Sequence, residues 1–351
     1  MIIFFFAIGA RDRASSRLRI WDHIEWFREG GIKLIADSLT PPATGATRAH
    51  VASRIARRLP GWIGAFFRSD VVVVQEALLL FPLLYLRNLG KRRRIVFDFS
   101  DPVDRHGTGL KGALRRFAFA RMARLADAVM VENKGYLASL QGKARQLAHF
   151  YGPVDAARYA AARGALSGRE RKTGDAVRIG WTGSPGTFRF VAPLMPIIDE
   201  IARTHPIEVV LIGVSGIDYR FRYARLVLEP WREETEFDIL PTFDIGLFRL
   251  DATPDALWRG AGKLFIYMAA GVPFVASDIG IAHGVMAEAG VGYPVSNDEE
   301  WERVLEAAVN DREGRQRMTA DSLHYAHEQL SYEAYRQQLA SLADPKREAL
   351  R

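Results

Sequence analysis

The sequence predicts an α/β protein with two domains, each built on a parallel sheet that helices cover on both faces. Short apolar runs rich in Val, Ile and Phe alternate with longer amphipathic stretches, which is the pattern of parallel strands separated by helices. The 351 residues exceed the size at which a single hydrophobic core usually stops growing, and 48% of them are hydrophobic. This composition excludes a disordered chain. The absence of cysteine excludes disulfides, thiolate zinc sites and a cysteine nucleophile, and fits a reducing compartment.

Five strands are predicted in the first half, each from a run rich in β-branched or aromatic residues. They cover residues 2–9, 32–39, 71–75, 95–101 and 128–132. The opening run over residues 1–10 is about half as long as the roughly 20 residues that a transmembrane helix needs. It also lacks a leading basic region and a small-residue cleavage site, so we interpret it as a buried strand.

Six strands are predicted in the second half by the same reasoning. They cover residues 177–183, 207–213, 224–228, 243–248, 273–277 and 292–295. Asn297 and Asp298 then offer helix caps, and amphipathic helices continue to residue 342. The chain therefore repeats the α/β pattern in a second unit of similar length.

A polar stretch rich in Ala, Arg and Gly over residues 152–175 separates the two halves and cannot bury much surface. We predict an N-terminal domain over residues 1–160, a linker over 161–176 and a C-terminal domain over 177–330. Residues 331–351 are predicted as a C-terminal helix that is a candidate to cross back to the first domain. Chains of this kind usually bind ligands outside the carboxyl ends of their strands.

The two halves differ in charge, although the net charge is only +7. Residues 1–165 carry 27 Lys and Arg against 13 Asp and Glu, a net of +14, whereas residues 166–351 carry 21 against 28, a net of −7. A basic half favours an anionic partner. Phospholipid, nucleic acid and a phosphorylated acceptor are the candidates.

Two glycine-rich loops in the second half are candidates for phosphate binding. The first, within RIGWTGSPGT at residues 178–187, leads from a strand into a helix predicted to begin near Phe188. The second, within WRGAGK at residues 258–263, sets an arginine and a lysine at a helix start. Glycine lets the backbone approach a ligand, and a helix amino end favours negative charge. The alternatives are an ordinary strand-to-helix turn and a solvated helix cap.

Segments around these loops resemble the GT-B glycosyltransferases of the family 4 kind, sugar-nucleotide-dependent enzymes with two facing Rossmann-like domains. The matching segments are RIGWTGSPGT at 178–187, EPWREETEFDILPTFDIGLFRL at 229–250, GKLFIYMAAGVPFVASDIG at 262–280 and EEW at 299–301. Shorter matches in the first half are SSRLRIWDHIEWFREGGIKL at 15–34, VVVVQEALL at 71–79, IVFDFSDPV at 95–103 and VENKGYLA at 131–138. The resemblance implies a GT-B fold with two parallel sheets.

The resemblance also implies roles for individual residues. The donor's phosphates would meet Gly183, Ser184, Gly186, Thr187, Arg189 and Lys263. Asp98 and Asp101 lie in the segment near the reacting sugar and, with Lys263, are the catalytic candidates. The donor sugar and ribose region would include Trp258, Arg259, Gly260 and Ile266. The acceptor side would include Gly9, Ser16, Arg17, Arg19 and His106.

The chain departs from the family at two of these positions. The family often has two glutamates eight residues apart, where this sequence has Trp258 and Ile266. Neither side chain can accept a hydrogen bond from a hydroxyl group, and the lost ribose contact is worth about 1.5–3 kcal/mol if nothing compensates. Either the donor is held differently or the chain is a catalytically silent binding or scaffold protein.

A basic, aromatic stretch over residues 50–68 is a candidate for membrane contact. Its predicted contact residues are Arg57, Arg58, Trp62, Phe66 and Phe67, with Pro60 and Gly61 expected to break the helix. The alternative is an ordinary helix, turn and helix packed on the first sheet. Arg115, Arg116, Arg121 and Arg124 form a second basic stripe, but no nucleic-acid-binding module accompanies it, so we expect no nucleic-acid partner.

The expected protein is a cytoplasmic glycosyltransferase, with peripheral binding to the inner face of a membrane as a further expectation. It would move a sugar, hexosyl-like, from a UDP or GDP donor to a glycan or lipid-linked acceptor, with retention and without a bound metal or other cofactor. His324 and His327 lack a third ligand, so no metal site is expected there. The silent GT-B protein remains the main alternative, and a sugar-nucleotide epimerase on the same fold is a third.

Overall fold

The computed structural model describes residues 1–42, 47–105, 107–166, 175–251 and 253–344. The chain divides into two compact units. The first contains Met1–Pro153, the short segment Trp258–Gly260 and the C-terminal segment from Tyr332; the second contains Val154–Leu257 and Ala261–Ser331. The second unit thus begins before the predicted boundary at residue 160, and part of the predicted linker is helical.

The first unit alternates strands and helices. Its strands are β1 (Ile2–Ala7), β2 (Lys33–Ser38), β3 (Val71–Gln75), β4 (Arg94–Phe99), β5 (Ala128–Val131) and β6 (Leu147–His149). Its helices are α1 (Ala14–Arg19), α2 (Ile24–Glu29), α3 (Arg48–Arg68), α4 (Gly109–Leu125) and α5 (Lys134–Leu140), with 3-10 segments at Trp21–His23 and Leu78–Leu86. The strands form one parallel sheet in the order β2-β1-β3-β4-β5-β6.

The second unit repeats this arrangement. Its strands are β7 (Val177–Thr182), β8 (Ile207–Ile212), β9 (Arg225–Glu229), β10 (Ile245–Phe248), β11 (Phe274–Ser277) and β12 (Tyr293–Val295). They form a parallel sheet in the order β12-β11-β10-β7-β8-β9. Its helices are α6 (Ala156–Leu166), α7 (Pro185–Phe188), α8 (Met195–Ile201), α9 (Glu233–Ile239), α10 (Gly262–Ala269), α11 (Ile281–Ala289), α12 (Trp301–Asn310) and α13 (Arg312–Tyr325).

Shorter helical turns complete the chain, and the last helix returns to the first unit. The turns are 3-10 segments at Ala192–Leu194, Leu240–Thr242, Ala256–Trp258 and Asp298–Glu300, and a π-helix at Ala326–Leu330. The last helix, α14 (Tyr332–Ala343), supplies Tyr335, Leu339 and Leu342 to the core of the first unit. No helix in the described part of the chain is long and apolar enough to cross a membrane.

All eleven predicted strands are confirmed, each within two residues at either end. Each sheet buries apolar side chains on both faces, as parallel sheets do, and this is why the strands are continuous apolar runs. The sequence missed β6, which has only three residues, all half-buried, at the sheet edge. Residues 156–166 form α6 because Tyr159 is buried, its ring centroid 4.4 Å from that of Phe237.

The membrane prediction for α3 is wrong for two of its aromatic residues. Trp62 and Phe66 are buried in the core of the first unit, and the Trp62 indole donates a hydrogen bond of 2.8 Å to Asp37. The expected break at Pro60 and Gly61 does not occur, because both face solvent while the buried face stays packed on the sheet. Arg57 and Arg58 are exposed and Phe67 is half-buried. The helix follows the alternative interpretation, packing on the first sheet.

A neutral histidine joins α14 to the start of the first unit. Arg336 donates a hydrogen bond of 3.1 Å to His23 Nδ1, and His23 Nε2 lies 2.6 Å from the Leu18 carbonyl oxygen. Since Nδ1 accepts, Nε2 carries the proton and donates. Burial, with the charge of Arg336 as the next cause, lowers the pKa of His23 to about 3. The imidazole therefore stays neutral at physiological pH.

We expect Trp62→Ala to lower the free energy of unfolding by about 3–5 kcal/mol, because it leaves a cavity and removes the indole hydrogen bond to Asp37. Urea denaturation measures this. Arg57→Ala, an exposed change on the same helix, is the control and should alter stability by less than about 0.5 kcal/mol. A loss below about 1 kcal/mol for Trp62→Ala would contradict the buried position.

We expect His23 to make stability depend on pH. Its pKa is lower in the folded chain than the ordinary 6.5, so its contribution is complete above pH 6.5 and is lost as the pH falls towards about 3. One proton corresponds to a slope of about 1.4 kcal/mol per pH unit in this window. Urea denaturation of wild type and His23→Gln from pH 7 to 4 should give converging stabilities; parallel curves would show that His23 does not titrate this way.

Candidate functional site

Both sheets reverse their strand order at one point, and this indicates where ligands bind. In the second sheet the chain runs from β7 to β8 and β9, then returns to the other side of β7 as β10. In the first sheet β2 and β3 lie on opposite sides of β1. Loops that leave such neighbouring strands diverge and leave a crevice outside their carboxyl ends. The residues after β7 and β10, and those after β1 and β3, are therefore the first to consider.

The loop after β7 is closely packed at Gly183. A Cβ atom there would lie 2.6 Å from the ring of Trp181 and 2.9 Å from Cε of Lys263, so only glycine fits. Lys263 is half-buried near the start of α10, with Nζ 5.5 Å from the Trp181 ring centroid. The structure thus brings together the two glycine-rich loops that the sequence singled out. A cation lies beside the half-buried Gly183, one residue before the exposed Ser184, and this arrangement suits phosphate binding.

The rest of this loop differs from the prediction in one respect. The helix expected near Phe188 is the four-residue α7, and the chain turns again before α8 begins at Met195. Arg189 therefore ends a short helix, with its guanidinium carbon 4.8 Å from the Phe190 ring centroid. Ser184 and Gly186 are exposed, and Thr187 Oγ1 donates to the Ser184 carbonyl oxygen at 2.9 Å.

Arg249, which sequence reasoning missed, braces the same edge of the second sheet. It follows β10 and donates to the Phe190 carbonyl oxygen at 2.9 Å, and to Asp251. It also contacts both carboxylate oxygens of Asp298, each at 3.0 Å. Its side chain is 9% exposed, so the arginine fixes the loops after β7, β10 and β12 together. An arginine directly after the buried run IGLF was the available signal.

The residues predicted for the donor sugar and ribose lie in two settings. Ile266 is buried in α10 between Phe265 and Tyr267, so it contributes apolar surface and no acceptor. Trp258 belongs to the first unit, where its ring packs edge-on against Tyr136 with centroids 4.9 Å apart. The Arg105 guanidinium carbon lies 3.7 Å from the Trp258 ring centroid.

The backbone of Gly260 closely approaches two acidic side chains of the first unit, the buried Glu132 and the partly exposed Asp101. A Cβ atom there would lie 2.9 Å from Glu132 Oε1 and 3.7 Å from Asp101 Oδ1. Arg259, beside it, is half-buried. The ribose assignment for these residues stays a prediction.

The first unit contains a buried charged network at the carboxyl edge of its sheet. Arg19 donates to both oxygens of Asp98, at 2.7 and 2.6 Å, and to Glu132 at 3.2 Å. The Tyr335 hydroxyl lies 3.2 Å from Asp98 and donates to the Arg19 carbonyl oxygen at 3.0 Å. All four residues are at most 4% exposed. Burial alone would lower the pKa of Arg19, but Asp98, Tyr335 and Glu132 together outweigh this effect and the pKa is raised.

Asp98 and Asp101, both predicted to be catalytic, occupy opposite settings. Asp98 is fully buried and both of its carboxylate oxygens accept hydrogen bonds from Arg19. We therefore assign Asp98 the role of orienting the Arg19 side chain. The Asp101 side chain is 44% exposed and its carboxylate lies 3.9 Å from Arg13. Of the two, Asp101 is the one that a ligand can contact.

Glu76 is a second residue that the sequence analysis missed. It follows β3 at the strand-order reversal, is 2% exposed and has φ of 57°, the only non-glycine residue in the described ranges with a positive φ. Its Oε1 accepts from Ser100 N, Ser100 Oγ and Asp101 N at 3.2, 2.7 and 3.3 Å. Burial, then the charge of Asp101, raises the pKa of Glu76. Strained backbone of this kind concentrates at functional sites.

The predicted acceptor-side residues gather beside β1 and β3. Ser16 Oγ accepts from Gly9 N at 3.1 Å and donates to Gln75 Oε1 at 2.9 Å, which also accepts from Ile8 N. Gln75 is fully buried, and its Nε2 has no hydrogen-bond partner among the residues that the structure describes. Arg17 is 5% exposed. His106 lies outside the described residues.

The chain resembles solved glycosyltransferase structures over its full length. Sucrose-phosphate synthase from Thermosynechococcus elongatus matches with a TM-score of 0.72 at 12% identity, covering 99% of each chain. HepE from Anabaena, in complex with UDP-glucose, matches with a TM-score of 0.68 at 13% identity, covering 97% of this chain and 98% of the other. WaaG, a glycosyltransferase involved in lipopolysaccharide biosynthesis, matches with a TM-score of 0.61 at 13% identity, covering 98% and 99%.

These likenesses identify the fold. The chain has the GT-B fold that the sequence resemblance implied, with two six-stranded parallel sheets. No protein-family model matches the sequence. No curated protein matches it significantly either.

We expect Glu76→Ala to destabilise the protein by about 2–4 kcal/mol, because it leaves the buried amide groups of Ser100 and Asp101 without an acceptor. Glu76→Gln keeps an acceptor oxygen and should retain most of the stability, as urea denaturation would show. The raised pKa of Glu76 further predicts that wild type loses stability relative to Glu76→Gln as the pH rises above the ordinary value of 4.5. Equal stability of wild type and Glu76→Ala would show that Glu76 does not stabilise the backbone at Ser100 and Asp101.

Proposed function

We propose that the protein is a glycosyltransferase of the family 4 kind that transfers a sugar from a nucleoside diphosphate donor to a glycan or glycolipid acceptor. The observation that carries this is the meeting of Gly183 and Lys263 at the carboxyl edge of the second sheet, beside its strand-order reversal. The complexes of HepE with UDP-glucose and with UDP support the same class of donor. UDP and GDP are the candidate nucleotides.

The second unit would hold the donor by its diphosphate. Lys263 would pair with the phosphate oxygens, while the exposed Ser184 and Gly186, with the half-buried Thr187 beside them, would line the phosphate side of the loop. Negative charge grows on the diphosphate as the sugar departs, so cations fixed in advance stabilise the transition state. Arg249 and Asp298 would hold the loop still without touching the ligand.

The first unit would offer a polar edge to the acceptor. Gly9, Ser16 and Gln75 are buried there and hydrogen-bonded to one another, so they would support this edge and leave ligand contact to the exposed groups beside them. Asp101 is the exposed carboxylate of this edge, and Glu76 and Arg13 orient it. No side chain would need to form a covalent bond to the sugar, because positioning of the substrates and electrostatic stabilisation lower much of the activation barrier in such catalysis. Retention of configuration and independence from metal are part of the proposal.

A catalytically silent GT-B protein is the second candidate, and particular observations favour it. Ile266 is buried among apolar neighbours where the family often has a glutamate, and Trp258 is engaged with Tyr136 and Arg105. A silent protein would act as a binding or scaffold partner in glycan assembly. Both candidates would work at the cytoplasmic face of a membrane if the acceptor is lipid-linked.

Calorimetric titration with UDP and GDP, in the presence of EDTA, tests the donor site. We expect one nucleotide to bind saturably and Lys263→Ala to weaken it by about 1.5–3 kcal/mol, the value of a hydrogen bond to a charged group. Lys143→Ala, an exposed lysine of the first unit, is the control and should bind as wild type does. Binding only without EDTA would refute metal independence.

The same titration separates the two candidates. Saturable binding followed by turnover of a UDP- or GDP-sugar would establish a transferase. No binding by folded wild-type protein would reject the proposed donor site and favour the silent protein. Affinity unchanged in Lys263→Ala would refute the role of that lysine.

A further inference from the structure

Exposed apolar side chains concentrate in two neighbouring segments of the first unit. Twelve large hydrophobic residues are exposed in the described ranges, and seven of them lie between residues 78 and 89 or in α4. The 3-10 segment Leu78–Leu86 packs against α4, with the rings of Phe81 and Phe117 edge-on at 6.1 Å. The two segments therefore form one continuous surface, which we call the α4 face.

The outward side of α4 is apolar along its axis. Leu110, Leu114 and Phe117 lie at i, i+4 and i+7, one stripe of a helix, and they are 86%, 62% and 48% exposed. The opposite side of α4 is also apolar, since Phe119 and Met122 are buried in the core. A surface helix of a globular protein normally turns charged residues to solvent. The outward leucines of α4 are therefore unusual, because no described part of the chain covers them.

The neighbouring segment continues the apolar surface. Tyr85, Leu86 and Leu89 are 56%, 44% and 62% exposed. Contiguous exposed apolar surface of this kind, bordered by charge, marks sites of protein or membrane contact.

The charged residues of the two segments all have one sign. Helix α4 and residues 77–97 contain no Asp or Glu. The basic residues of α4 form no ion pair within the described ranges, and they are Lys111, Arg115, Arg116, Arg121 and Arg124. The Arg121 guanidinium carbon lies 5.2 Å from the Phe117 ring centroid, so a cation stands directly beside the apolar stripe. Unpaired cations next to exposed leucines match the headgroups and acyl chains of an anionic bilayer.

We propose that the α4 face docks the protein on an anionic lipid bilayer, with Leu110, Leu114 and Phe117 inserted at the headgroup boundary. The arginines of α4 would contact lipid phosphates around them. Nucleic acid fits less well, because leucines at the centre of the surface contact no phosphate. This site replaces α3, whose Trp62 and Phe66 are buried.

Flotation of the full chain with lipid vesicles tests the proposal. Vesicles of 30% phosphatidylglycerol and 70% phosphatidylethanolamine should bind the protein, whereas phosphatidylcholine vesicles should bind it at least tenfold less. Leu110→Gln with Leu114→Gln should reduce binding about a hundredfold, since each inserted leucine contributes about a factor of ten. Arg115→Gln with Arg116→Gln should also reduce vesicle binding, with each lost arginine weakening it severalfold. Added salt should weaken the binding of wild type.

A matched control separates docking from general stickiness. Tyr223→Gln with Leu228→Gln removes two exposed apolar side chains of the second unit, 52% and 36% exposed, and should leave vesicle binding unchanged. Thermal unfolding midpoints of all variants should match wild type, because the changed side chains are solvent-exposed. Nucleotide titration is unaffected by these changes, so this proposal and the donor site can fail separately.

Three results would overturn the proposal. Wild-type protein could fail to float with anionic vesicles, or the double leucine variant could float as well as wild type. Light scattering could instead show that wild type forms dimers which Leu110→Gln with Leu114→Gln dissociates, without any vesicle binding. The α4 face would then be a contact between copies of the chain.

Discussion

The bidentate pair between Arg19 and Asp98 is the interaction on which the first unit depends. It joins α1 to β4, Glu132 extends it to β5, and Tyr335 extends it to α14. Taking such charges out of water costs several kcal/mol per ion, so the network is favourable only while every member is present. Removing one partner would leave an uncompensated charge among apolar side chains. The network therefore fixes the relative positions of four elements more strictly than apolar packing does.

This rigidity explains a division between buried and exposed charges at the edge of the first sheet. Asp98 and Glu76 are buried and form hydrogen bonds that position neighbouring groups. The Asp101 carboxylate is accessible to solvent, and the Asp101 backbone is positioned by Glu76. Glu76 does this from a backbone conformation that side-chain-bearing residues rarely adopt. The second unit repeats the arrangement, because buried Arg249 holds loops whose exposed groups face solvent. In each unit, buried polar side chains fix the positions of polar groups that are exposed to solvent.

The sequence predicted the fold well and the site unevenly, for physical reasons. Parallel strands buried on both faces are continuous apolar runs, so eleven of them could be read directly, whereas β6 lacked such a run. Gly183 and Lys263 were found because glycine-rich loops carry a local signal. Glu76 gave no local signal and Arg249 only its position directly after a buried strand, since Glu76 binds Ser100, 24 positions away, and Arg249 binds Phe190, 59 positions away. The amphipathic pattern of α3 was read correctly, but a pattern does not tell whether a sheet or a bilayer covers its apolar side.

The return of α14 to the first unit has a consequence for the order in which the protein is made and folded. Tyr335 contacts Arg19 and Asp98, yet it lies more than 230 residues after both of them. A ribosome therefore exposes the first unit's charged pair long before the helix that covers it emerges. Until then, the apolar surface that Leu339 and Leu342 will cover also stays open to solvent. The first unit is begun first and completed last, so its maturation has to wait for synthesis of the whole second unit.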